Sequence, residues 1–198
     1  DSVRVYCDTD VDGKHTGHDM GIALKKRMEM GFTFLKMDLG IGLLLDEPGT
    51  INAPLGLIED MKTYAPHILN VQGGSVTADM VKQQKSYSIV TTAHPFTGIH
   101  LTEKGLDYLE NYVKEVRSVI GYEVPLAIDH FGHVALEDCI RFARRMEKYN
   151  LAWMEDMAPW MYTDQYVRLR NSTTIPVCTG EDIYLKEEFE KLIKAGGV

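Results

Sequence analysis

Apolar residues recur along the chain in two alternating rhythms. Short runs occupy Val3–Cys7, Phe32–Asp38, Pro125–Asp129, Leu151–Glu155 and Pro176–Thr179. Each is too short for a stable helix, and most are rich in β-branched or aromatic residues, so they predict strands. Between them, apolar residues step by three and four, which predicts helices. Leu106, Leu109, Val113, Val116 and Ile120 mark one, with Thr102 placed to cap its start and Gly121 to close it. Leu136, Ile140, Ala143 and Met146 mark a second, from about Ala135 to Tyr149. Further helices are expected at Asp19–Met30, Thr163–Arg170 and Leu185–Ala195.

The runs show little alternation, as expected for parallel strands covered on both faces. Regular strand–helix alternation predicts an α/β protein, and acids at the strand ends favour a TIM-type (β/α) barrel over an open sheet. Five strands are expected, which corresponds to the first five βα units of an eight-unit barrel. One stretch breaks the pattern. Residues 39–101 contain Pro48, Pro54, Pro66, Pro95 and the Gly73-Gly74-Ser75 turn, far more chain than an ordinary loop of about 2–6 residues. They read as an insertion leaving the C-terminal end of the second strand, with a short helix expected at Leu55–Tyr64. An insertion at that rim is expected to cover the site or to extend towards a neighbouring subunit. The chain opens at Asp1 directly before an apolar run and stops at Val198 after a helix. The organisation expected is therefore a partial barrel over residues 1–198, with the last barrel strands outside it.

Composition narrows the partners. The 44% apolar content supports a core, and the formal charge of −8 disfavours nucleic acid and anionic membrane surfaces. No apolar stretch approaches the roughly 20 residues of a membrane span. Cys7, Cys139 and Cys178 have no metal-type spacing and read as reduced thiols of a cytoplasmic protein.

The acids are the most specific feature. Asp129, Glu155 and Glu181 each follow an apolar run, and the 26-residue interval between the first two repeats between the last two. Any one of them could be a helix N-cap or a surface charge. Three in register at successive strand ends would instead converge on one rim, and three hard oxygen donors without a thiolate suit Mg²⁺, or Mn²⁺.

With Lys36-x-Asp38 before them, Asp156 and Asp182 beside them, and Thr179-Gly180 before Glu181, these acids resemble the enolase superfamily. The pattern is most similar to the mandelate racemase/muconate lactonizing enzyme branch and its acid-sugar dehydratases. The resemblance implies that Asp129, Glu155 and Glu181 hold a catalytic Mg²⁺. It further implies a lyase that abstracts the proton next to the carboxylate of a sugar acid or related hydroxy carboxylate. Water is then lost through an enediolate. A racemase or epimerase on the same scaffold is the alternative within that branch, and a catalytically silent barrel fragment the alternative outside it. The resemblance also implies an N-terminal capping domain preceding Asp1, and a homo-oligomer is expected.

Other candidates follow from position. Lys36 and Asp38 lie on one face of a strand, so both can reach the site. Either they pair with each other, or Lys36 supplies positive charge to the substrate. Asp38 stands where the family often has a second lysine, and it cannot serve as a lysine base. His130 and His133 flank Phe131-Gly132 just after Asp129 and are candidate acids or hydrogen-bond donors. His18, Asp156 and Trp160 are candidate substrate contacts. The run Asp8-x-Asp10-x-Asp12-Gly13 imitates the start of a calcium loop, but a strand-like segment precedes it and Asp19 replaces the closing glutamate. It is expected instead to be a charged loop at the rim.

Overall fold

The computed structural model of the chain describes residues 2–11, 13–59, 98–129 and 134–198. A four-stranded parallel sheet forms its centre. Strand β1 (Leu35–Asp38) is the first, and two short strands, β2 (Ile51–Asn52) and β3 (His100–Leu101), form a separate antiparallel pair. The sheet continues with β4 (Leu126–Asp129), β5 (Met154–Glu155) and β6 (Val177–Cys178), and its order is β1-β4-β5-β6. Strand order follows chain order with no reversal, the winding of a (β/α) barrel; an open doubly wound sheet would reverse at a switch point.

The helices return between these strands. They are α1 (Gly17–Glu29), α2 (Glu103–Ile120), α3 (Leu136–Met146), α4 (Thr163–Arg170) and α5 (Lys186–Ala195). Thr16 and Asp19 cap α1 reciprocally, a capping box. Thr102 caps α2 as expected, its Oγ1 accepting from the Gly105 N–H at 3.1 Å. Gly121 ends α2 at φ +73°, where a side chain would be strained. The third helix is shorter than its pattern predicts. It gives way after Met146 to a 3₁₀ turn, and Asn150 then takes a left-handed conformation.

The predicted first strand is reduced to a single parallel bridge between Cys7 and Leu35. Val3 is 86% exposed and Val5 61% exposed, so no burial fixes this segment as a ladder. The insertion is tied at its base. The β2–β3 pair closes its neck, and Asp138 of α3 accepts from the Leu101 N–H at 3.1 Å. The expected short helix begins at Leu57, and its continuation lies outside the described residues.

The strands separate two environments. Leu35, Met37, Leu126, Ile128 and Met154 belong to the main core, together with Leu109, Val113 and Phe142 of the helices. Alternate residues, Lys36, Asp38, Asp129 and Glu155, must therefore point to the opposite, inner face. They are buried although charged.

Below that face, buried Arg117 of α2 fastens the strand starts. Its guanidinium donates to the carbonyls of Gly121, Val124, Tyr149 and Asn150. These lie just before β4 and β5, so one side chain sets the level at which both strands begin. Because the strands are aligned there, their last residues are aligned at the opposite end.

Candidate functional site

The register of the sheet assembles the site. Asp38 is paired with Asp129 across β1–β4. Ile128 is paired with Met154 across β4–β5, so Asp129 and Glu155 close neighbouring strands at the same level. Carboxylate oxygens of Asp129, Glu155 and Asp156 lie within 4.8 Å of one another.

Lys36 stands among them. Its Nζ forms an ion pair with Asp129 Oδ2 and lies 3.0 Å from Glu155 Oε2. Lys36 thus pairs across the strands with two predicted metal ligands, and the Lys36–Asp38 pair weighed from sequence is not the contact its ammonium makes here. Burial alone would lower the Lys36 pKa, but the hydrogen bonds and charges of Asp129 and then Glu155 outweigh it and raise it. The lysine is therefore firmly cationic.

Trp153 also holds Glu155: its indole N–H donates to the same Oε2 at 2.9 Å. Phe34 stacks on the Trp153 ring at 4.7 Å, and the Tyr6 ring lies 5.4 Å from Lys36 Nζ. These aromatics form an apolar floor beneath the charged cluster. The signal for the polar role of Trp153 was its position two residues before Glu155, hence on the same strand face.

Asp156 completes the cluster. Its Oδ1 accepts from the Thr179 hydroxyl at 2.6 Å, and its amide donates to the Cys178 carbonyl, extending the β5–β6 ladder. Its backbone is left-handed at φ +48°, unusual for a residue other than glycine. Burial raises the Asp156 pKa to about 6; the Thr179 bond opposes the rise, and the charges of Asp129, Glu181 and Glu155 add to it. Cys178, register partner of Glu155, has its thiol pushed up to about 11, chiefly by burial and then by Glu155 and Asp156. It stays protonated near neutrality, which leaves oxygen as the donor type of the cluster.

The remaining candidates fall elsewhere. Glu181 is exposed in the turn that follows β6, three positions beyond the last residue of that strand. It is not brought into the 4.8 Å group, although its charge reaches Asp156. Asp38 gathers with Asp8 and Asp10 of the strand-one loop in a second carboxylate group, also within 4.8 Å. His18 is exposed at the start of α1, its backbone N–H directed at Glu115 of α2 at 3.3 Å. Trp160 is half-buried against the core. His130 and His133 lie outside the described residues.

The donor set fits a hard divalent cation. Among the described residues, three carboxylates face one ammonium, so this part of the cluster holds more negative than positive charge. A divalent ion is the usual remedy, and carboxylate oxygens suit Mg²⁺ or Mn²⁺.

The family comparison agrees with this architecture. Residues 74–198 match the model of the enolase C-terminal domain-like family. The D-galactonate dehydratase of Ralstonia pickettii (strain 12J) is 27% identical over 150 residues, covering 72% of this chain and 38% of that protein. The chain thus spans well under half the length of the curated relatives it matches. Among solved structures, a mandelate racemase/muconate lactonizing enzyme-like protein from Rubrobacter xylanophilus DSM 9941 superposes with a TM-score of 0.64. It is 22% identical, and the match covers 99% of this chain and 42% of that one. A racemase from Streptomyces coelicolor A3(2) with bound magnesium superposes with a TM-score of 0.60 at 17% identity, covering 99% of this chain and 37% of that one. The chain belongs to the enolase C-terminal domain-like family.

Proposed function

We propose, from that family membership and the carboxylate rim, that the chain carries the metal-binding half of a Mg²⁺-dependent acid-sugar dehydratase active site. The observation that supports this most directly is the convergence of strand-final Asp129 and Glu155 around a buried positive charge. Asp129 and Glu155 would hold the ion, with Glu181 as the third ligand. Asp156 is the weaker choice for that place, because one of its oxygens is taken by Thr179 and its carboxyl resists ionisation. A divalent cation held there supplies positive charge to a substrate carboxylate and to the charge that develops as its α-proton leaves.

The chain's own groups prepare that site. Trp153 fixes the orientation of Glu155. The Phe34, Trp153 and Tyr6 rings lie against one side of the cluster, where they pack on each other and on Lys36. Asp156 and Thr179 lock the ends of β5 and β6 together, holding Glu181 near the rim. His130 and His133 remain the candidates for proton transfer next to Asp129, Asp38 stays a candidate catalytic group, and Trp160 a candidate substrate contact.

The reaction has a defined balance. The C2–H bond breaks, the C3 hydroxyl leaves as water, and the enol tautomerises to a 2-keto-3-deoxy acid. Incubating the full-length protein with Mg²⁺ and a panel of sugar acids in D₂O tests it. Formation of a 2-keto-3-deoxy product supports the dehydratase. Deuterium at C2 without loss of water assigns the site to a racemase or epimerase. Neither outcome with any acid in the panel would contradict the proposal. Glu181→Gln is expected to weaken Mg²⁺ binding more than Asp156→Asn, as read by calorimetry; the reverse order would make Asp156 the third ligand.

A further inference from the structure

We infer that Lys36 is a built-in counter-ion of the metal site, which holds Asp129 and Glu155 in place until a divalent ion displaces it. The inference rests on the metal reading above and concerns what the lysine does before the ion arrives. The Lys36 side chain is only 7% exposed, and those of Asp129 and Glu155 are 2% and 10% exposed. Two such carboxylates, closing adjacent strands with water largely excluded, would repel each other strongly if left alone. Lys36 projects from β1 between them and bridges both.

Two features make this an exchangeable arrangement. First, Lys36 engages Asp129 Oδ2 and Glu155 Oε2, one oxygen from each of the two carboxylates that would hold the cation. The ammonium and the ion therefore compete for the same charge. Second, Glu155 does not depend on Lys36 alone, because the Trp153 N–H holds Oε2 at 2.9 Å. When the ammonium leaves, Glu155 keeps its orientation, and the Tyr6 ring, 5.4 Å from Nζ, offers the departing cation a face on which to rest. The site is thus arranged for replacement of one cation by another, without collapse between the two.

The consequence runs opposite to that of an ordinary site residue. Removing the charge of Lys36 should make the metal-free protein less stable and the metal site tighter. Calorimetry with MgCl₂ and thermal unfolding in EDTA, on the full-length wild type, Lys36→Met and Lys36→Gln, test both parts. Lys36→Met is expected to lower the melting temperature in EDTA by several degrees and to raise Mg²⁺ affinity at least tenfold. Lys36→Gln, which keeps a hydrogen-bond donor, is expected to show the same affinity gain with a smaller loss of stability. Should Lys36→Met not fold, Lys36→Gln carries the test. In the wild type, saturating Mg²⁺ is expected to increase acetic anhydride labelling of Lys36, read by peptide mass spectrometry, because the amine is no longer held by two carboxylates. Wild-type Mg²⁺ binding with unchanged or weakened affinity in the variants, or with unchanged labelling, would overturn the displacement role and leave the metal site standing. Absence of Mg²⁺ binding in the wild type and in both variants would overturn the metal reading, and this inference with it.

Discussion

Glu155 is the residue on which the site turns, and most of its environment was not legible from its own position in the sequence. The pattern gave its strand and its terminal place there. It did not give its partners, because one is distant in the chain and the other, Trp153, has an apolar ring that carries a single polar atom. Lys36 is 119 residues away and meets it only because β1 and β5 flank β4. Trp153 is expected to matter more than a packing residue. Trp153→Phe keeps the ring stack and removes one hydrogen bond to a charged acceptor, which is expected to cost about 1–2 kcal/mol in stability. Mg²⁺ affinity should fall several-fold, and chemical denaturation together with calorimetry checks both. Asp156 supplies a pH signature. Its folded pKa of about 6 lies above the ordinary carboxyl value, so between these limits the folded protein holds more protons than the unfolded one. Stability of the metal-free protein is therefore expected to fall as pH rises from about 4 to about 6, then level off. Denaturation midpoints at three pH values in EDTA check this, and Asp156→Asn should flatten that part of the profile. Glu181 shows the limit of reading spacing alone. The equal intervals put the three acids in register along the chain, but β6 ends at Cys178, so the third acid lies in a turn beyond its strand.

At the scale of elements, helices were easier to read than strands. The boundaries of α2 and α4 follow directly from apolar steps and local signals such as Thr102 and Gly121, which act within a single turn. Strand boundaries depend on partners. Phe32-Thr33-Phe34 has strand composition, yet β1 begins at Leu35, where the ladder with Leu126 starts. Close approaches between elements were invisible for the same reason. Gly105, in the first turn of α2, packs so near the chain before β2 that an added Cβ would lie 2.1 Å from the Thr50 carbonyl oxygen. Alanine would gain about 1 kcal/mol of helix propensity. The clash is with backbone, so the net effect of Gly105→Ala is expected to be a loss of about 2 kcal/mol. In a chain of this size that lowers the melting temperature by about 4–8 °C. An unchanged or higher melting temperature would show that this contact does not fix how α2 meets the neck of the insertion.

On the scale of the whole molecule, a parallel sheet wound in chain order brings the ends of β4 and β5 together at one edge, with Lys36 of β1 reaching across. Barrel winding was legible because alternation of strand and helix is a property of the whole pattern and survives errors at each boundary. Tyr184, Leu185 and Ile193, on and just before α5, are each more than half exposed, as are Val3 and Val5 at the opposite flank. On the proposed function, the rim formed by Asp129 and Glu155 binds a divalent cation and couples it to a polyhydroxy carboxylate. Calorimetric titration of the full-length protein with MgCl₂, with and without a saturating sugar acid, and with Glu155→Gln as the control, tests this most directly. Saturable binding that tightens in the presence of the acid and is lost in Glu155→Gln is the result predicted. Binding that Glu155→Gln leaves intact, or that the acid does not change, would contradict it.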